Sequence, residues 1–190
     1  SKKLKKLGNH SSDTAVLSFE DVRVPVSNRI GDEGMGFYYQ MEQFQVERLV
    51  GALGGVAGAE LAVRDTIQYT QERKAFRKPL IANQWIQFKL SELLTEIEAA
   101  KQLNYYCASL IESGAEATEV TRIASMCKLK AGRLMRDVAD TCLQFYGGMG
   151  YMEETPISRY FRDARLTSIG GGADEIMMGI IAKIEGFNPR

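Results

Sequence analysis

The stretch FYYQMEQFQVERLVGALGGVAGAELAVRDTIQYTQ, residues 37–71, repeats apolar residues at steps of three and four, which predicts one long helix. Inside it lies a run of small residues: Gly51, Ala52, Gly54, Gly55, Ala57, Gly58 and Ala59. A glycine in a helix interior costs up to about 1 kcal/mol against alanine. Such a run is expected where something approaches the backbone closely. Another helix or a flat ligand would do, and helix packing is the commoner cause.

Downstream, Pro79 in FRKPL breaks this helix, and a second is predicted from about Asn83 to Ser113, stopping at Gly114. A third runs from about Ala117 to Tyr146 and stops at GGMG. TPISRYFRDARL (155–166) reads as short and helical, with Pro156 suited to a first turn. A last helix, about Asp174 to Ile184, follows three consecutive glycines. Upstream, TAVLSFEDVRVPVSNRIG (14–31) alternates apolar and polar residues and predicts a strand, and GDEGMG (31–36) is a connector. The chain therefore reads as mainly α, a helical bundle preceded by one strand with no sheet here to join. Such a strand is expected where the chain is the C-terminal piece of something larger, or where another domain completes it.

Lys+Arg and Asp+Glu balance at 24 each among 190 residues, so no global basic field points to nucleic acid. No apolar run approaches the roughly 20 residues of a membrane span. The opening SKKLKKLG lacks the apolar core of a secretory signal. Cys107, Cys127 and Cys142 are too far apart for a metal-ligand spacing and odd in number, and read as partly buried thiols in a reducing compartment. His10 is the single histidine and lies in a polar stretch, so acid–base work falls to carboxylates, lysines or tyrosines, and no metal site is expected. The triple glycine is not a Walker-type loop, because the lysine such a loop needs is missing.

Four stretches stand in order: FEDVRVP (19–25), ERLVGALGGVAGAE (47–60), ERKAFRKPL (72–80) and LQFYGGMGYMEETPISRYFRDARLTSIGGGADEI (143–176). Together they resemble the acyl-CoA dehydrogenase family, over nearly the whole chain. The resemblance implies an up-down four-helix bundle as the C-terminal domain (31–190), preceded by the tail of a middle β-domain and a linker (1–30). It implies an FAD enzyme that removes hydrogens across Cα–Cβ of an acyl-CoA thioester, a carboxylate taking the α-proton and flavin the β-hydride. It also implies a dimer of dimers, an electron-transferring flavoprotein as acceptor, and the mitochondrial matrix in a eukaryote or the cytoplasm in a bacterium. Two other readings stay open: a flavin oxidase on the same fold, and a non-catalytic helical assembly module.

In the commoner family pattern the last motif reads YEGTSEI and its glutamate is the base. Gly171 stands at that position here and cannot accept a proton. The isovaleryl and long-chain branches draw their base from a stretch ending ERL, which FQVERLVGA matches, so the resemblance assigns the base to Glu47. It places Gln45, Val46 and Arg48 beside it against substrate, with Gly170, Gly171 and Gly172 forming the floor of the thioester pocket. Gly170 replaces a tyrosine and leaves room for a branched or bulky acyl group. For FAD the resemblance implies Arg73 and Phe76 of RKAF, Asn83 and Gln84 of NQ, Gln144, Gly147 and Gly148 of QFYGG, and Ala173, Asp174 and Glu175. Two departures stand out. Ala173 lacks the hydroxyl of the family threonine, and Arg77 replaces a glycine. Asp174 serves equally well as an N-cap.

Overall fold

The computed structural model describes residues 2–187. Three long helices build it: α1 (Gly36–Glu72), α2 (Gln84–Glu112) and α3 (Ala117–Tyr146). Two shorter ones, α4 (Pro156–Ala164) and α5 (Asp174–Ile184), complete it. The connectors 73–83 and 113–116 are short, so consecutive long helices run antiparallel. Helix α3 is the hub, packing on α1, α2, α4 and α5. The up-down bundle is thus three long helices with the 11-residue α5 in the fourth position.

Local chemistry sets the ends. Asn83 caps α2 by accepting from the Trp85 amide at 3.0 Å. Gly114 and Gly147, at φ +68 and +57, take the left-handed backbone that closes α2 and α3. Pro156 opens α4. The core is aliphatic, built from Leu49, Val56 and Val63 of α1, Leu90, Leu93 and Ile97 of α2, and Ile123, Leu134 and Val138 of α3. All three cysteines are buried in it and free of disulfides.

The small-residue run serves packing only in part. Ala52 and Ala59 are fully buried, and a Cβ on Gly55 would lie 2.6 Å from Met135 Sδ. Gly51 and Gly54, in contrast, have open space where a side chain would stand.

The expected strand over 14–24 shrinks to Ala15–Val16 (β2), paired antiparallel with Lys2–Lys3 (β1). So it finds a partner inside the chain, contrary to the sequence reading. Phe19, Val22 and Val24 stay outside any strand and strongly exposed. Their alternation had no second sheet face to pack against, and periodicity without a partner does not make a strand. A second hairpin, β3 (Lys74–Ala75) with β4 (Lys78–Pro79), joins α1 to α2. No described helix is long and apolar enough to cross a membrane.

Candidate functional site

Helix α1 and the segment before α5 meet at a cleft of about 470 Å³. Phe44, Glu47, Arg48 and Gly51 line one wall. Leu166, Thr167, Gly170 and Gly171 line the other, with Lys128 and Met135 of α3 and Tyr160 of α4 between them. Glu47 and Gly171, the two positions that the sequence reading sets against each other, therefore share one cavity. The Glu47 carboxylate is exposed and accepts from Gln43 Nε2, one turn earlier, at 2.8 Å.

Arg48 is only 5% exposed. Its Nη1 donates to Gln45 Oε1 at 3.3 Å, its guanidinium lies 5.8 Å from the Phe44 ring centre, and its Nε has no partner among the described residues. Burial pulls its pKa below the ordinary arginine value. Gln45 and Val46 do not join this cleft. They line a separate groove with Met41, Ile111 and Val120, because residues one and two before Glu47 point about 100° and 200° around the helix.

The glycine segment is left-handed twice, Gly171 at φ +69 and Gly172 at φ +111. A Cβ on Gly172 would come 2.5 Å from Met177 Cε, so this residue backs the wall instead of facing the cavity. At Gly171 a Cβ would meet only Lys128 Cε, at 3.6 Å.

Lys128 is 4% exposed, and its ammonium donates to the carbonyls of Thr167 and, at 3.2 Å, Gly172. Burial lowers its pKa, Asp174 partly restores it, and Arg48 lowers it further. Asp174 is 6% exposed and pairs with Arg136 Nη1 at 3.5 Å and Arg133 Nε at 3.8 Å. The cap of α5 is Ala173, so Asp174 is its first helical residue and not an N-cap. Its charge still suits a helix N-terminus. Gly132 makes this approach possible: a Cβ there would stand 3.0 Å from Ser168 Oγ and 3.2 Å from Asp174 Oδ1.

Sequence reasoning missed Lys128, Gly132 and Tyr160. Lys128 had a signal, since it falls at a three- and four-residue step among Ala124, Ala131 and Val138, where an apolar residue belongs. Nothing in the sequence marks its two carbonyl partners, 39 and 44 residues away.

A second cleft, of about 680 Å³, gathers Arg73, Asn83, Gln144, Gly147 and Gly148 with Tyr69, Trp85 and Tyr146. Tyr69 and Tyr146 stack at 4.0 Å. Gly147 and Gly148 have open space at their Cβ positions, so a flat or anionic group can reach the backbone there. Phe76 and Gln84 lie outside this lining. Phe76 is fully exposed at the tip of the β3–β4 hairpin, where both loop residues, Phe76 and Arg77, have positive φ (+50 and +67), as a type I′ turn requires. Ala173, Asp174 and Glu175 sit elsewhere. Asp174 neighbours Gly132, twelve residues before Gln144 on α3, which at 1.5 Å per residue is about 18 Å away. The residues assigned to the cofactor thus form two separate groups on this chain.

The comparisons with known proteins agree with this architecture. The family model for the acyl-CoA dehydrogenase C-terminal domain matches residues 34–185. The chain is 42% identical over 182 residues to the mitochondrial long-chain specific acyl-CoA dehydrogenase of Sus scrofa, covering 96% of this chain and 42% of that protein. It superposes on a crystal structure of a putative acyl-CoA dehydrogenase from Mycobacterium smegmatis with a TM-score of 0.96 at 35% identity, covering 100% of this chain and 49% of the other. Butyryl-CoA dehydrogenase of Megasphaera elsdenii gives a TM-score of 0.91 at 36% identity, with 96% of this chain and 47% of the other covered. The chain thus spans less than half the length of these relatives. With its hub helix, its hairpin and its glycine segment all in the matched region, the chain belongs to the acyl-CoA dehydrogenase family, residues 34–185 being the C-terminal domain.

Proposed function

We propose that the protein to which this chain contributes its helical bundle is an FAD-dependent acyl-CoA dehydrogenase, with Glu47 as the base. One observation supports this above others: an acid on α1 and a glycine at the usual acid position line the same cleft. In this reading the acyl thioester enters between the two walls. The Glu47 carboxylate takes the α-proton, and the electrons of that C–H bond form the Cα=Cβ double bond as the β-hydrogen leaves with its pair. Bound FAD supplies the two-electron acceptor for that β-hydrogen. Gln43 donates to Glu47 and fixes its orientation. The Gly171 N–H is free of intrachain bonds among the described residues and offers a donor to the thioester oxygen, where negative charge develops. Gly170 leaves the wall without a side chain, which fits branched or bulky acyl groups.

The second cleft fits the cofactor. Of the four cations around the hairpin, Arg73, Lys74, Arg77 and Lys78, Arg73 lines the cleft, and none of the four is in an ion pair among the described residues. Arg73 in the cleft would hold a pyrophosphate, with Gln144, Gly147 and Gly148 against the nucleoside. Asn83 is already engaged in capping α2, and Ala173–Glu175 would serve a different part of the cofactor or a neighbouring subunit's copy. The expected assembly is a dimer of dimers, with an electron-transferring flavoprotein as the acceptor.

The test is Glu47→Gln in the full-length protein. A general base contributes about 10²- to 10⁴-fold, so bleaching of the flavin band by a panel of acyl-CoA thioesters should slow by that factor, with FAD and acyl-CoA still bound. Parental bleaching by the variant would exclude Glu47, and fast reoxidation of the reduced parent by air would favour an oxidase.

A further inference from the structure

We propose that Lys128 is a positioning residue for the reaction. Its buried ammonium ties both ends of the segment 167–172 to α3 and so fixes where Gly171 stands opposite Glu47. This rests on the activity proposed above, and the test separates the two.

The argument begins with the cost of the residue. A lysine that is 4% exposed, on a buried helix face of small and apolar residues, gives up its hydration, and burial lowers its pKa accordingly. Such a residue persists where its donors replace water, and here they go to main-chain carbonyls and not to a carboxylate. Thr167 O and Gly172 O stand at the two ends of one six-residue segment. One donor group therefore closes that segment into a loop from behind, and the loop's outward residues, Gly170 and Gly171, form the cleft wall.

At its start the segment is held by a 3-10 turn over Arg165–Ser168 and by Arg136 Nη1, which donates to the buried Ser168 Oγ at 3.4 Å; its glycine half has fewer restraints. Ile169 and Gly170 both donate to Leu166 O at 2.8 Å, while Gly171 and Gly172 donate no backbone bond within the described residues. Glycines at φ +69 and +111 have the widest conformational choice in the chain, so a tie must select one of their states. Lys128 also lines the cleft itself, its stem 3.6 Å from the Cβ position of Gly171. The charge of Asp174 favours the ammonium and that of Arg48 opposes it.

The test uses the full-length flavoprotein with Lys128→Met, which keeps the long stem and removes the donors, and Lys128→Arg, which keeps a cation. Misplacing a reacting wall by about 1 Å costs on the order of 100-fold. Lys128→Met should therefore lower kcat by roughly 10- to 100-fold, with little change in KM and full flavin content. The amides of Ile169 and Gly170 should exchange faster, while those of α1 and α2 do not. Lys128→Arg should recover part of both. Parental kcat and parental exchange in Lys128→Met overturn the proposal. So does a general loss of melting temperature and flavin that Lys128→Arg leaves uncorrected, since that marks a packing role. Amide exchange reads the tie without turnover. A parent protein inert toward every acyl-CoA, whose Ile169 and Gly170 amides still depend on Lys128, would sink the activity reading and leave the tie standing.

Discussion

If both walls of the cleft reach the same substrate atom, a carboxylate moved from one to the other should keep some activity. The perturbation is Gly171→Glu combined with Glu47→Thr in the full-length protein. Sterically it is permitted, because the new Cβ meets only Lys128 Cε at an ordinary 3.6 Å. Conformationally it is strained. At φ +69 a non-glycine residue costs about 1–2 kcal/mol. For a unit of this size, each kcal/mol lowers the melting temperature by about 2–4 °C, so a drop of about 2–8 °C is expected. The adjacent Lys128 ammonium offers the new carboxylate a cation, which offsets part of that loss. The assay is flavin bleaching by straight-chain acyl-CoA, which has the least bulk to collide with a side chain on this wall. Glu47→Thr alone should be nearly dead, and the double variant should regain measurable turnover. A double variant that folds, binds flavin and turns over no faster than Glu47→Thr refutes the two-wall geometry.

Two further outcomes follow from local physics. Burial pushes the Cys142 thiol up to about 11, against 9.0 in an open chain. Between those values the unfolded chain loses a proton that the folded one keeps, so stability falls as pH rises, by about 1.4 kcal/mol per pH step and near 3 kcal/mol in all. Chemical unfolding of the parent and Cys142→Ala from pH 8 to 11 should show the parent's advantage shrinking by that amount; parallel curves would rule the linkage out. Arg77→Gly should relieve the left-handed φ of +67 at the hairpin tip, for a net gain of about 0.5–1 kcal/mol after the entropy that glycine costs. The readout is slower exchange of the Leu80 amide, bonded to Arg73 O at 2.8 Å, and faster exchange would count against the strain.

The sequence carried the helices well because their signals are local. Periodicity, Pro156, Gly114 and Gly147 each act within one or two turns, and observed boundaries fall within a residue or two of the expected ones. It carried the strand poorly, because a strand needs a partner: the alternation at Val22 and Val24 is real, but only Ala15–Val16 meets one. The candidate site divides the same way. Glu47 and Gly171 are brought to one cleft as their motifs imply, whereas Gln45 and Val46, their neighbours in sequence, face another groove. Adjacent letters in a motif do not share a helix face. Lys128 was legible as a misplaced charge but not as a clamp, because its partners are main-chain oxygens, which every residue possesses.

Backbone energetics also favour the acid where it stands. At Gly171 the chain is held at φ +69, and a glutamate there costs about 1–2 kcal/mol before any chemistry. At Glu47 the backbone is an α-helix interior, where glutamate is among the better residues. Glu47, Gly51, Gly54 and Gly58 follow each other at steps of four, three and four, so they share one stripe of α1. Along that stripe Gly51 and Gly54 meet nothing within 4 Å, and Gly58 only the edge of the Tyr160 ring at 3.5 Å. The stripe is therefore not the face that α1 spends on α3, which runs instead through Leu49, Ala52, Val56, Ala59 and Val63. A carboxylate on it loses no hydration to the bundle's own core. The acid that lines this cleft thus stands on the helix without backbone strain. The loop opposite is left to glycine, whose freedom the φ values of +69 and +111 use, while Lys128 donates to the carbonyls at its two ends.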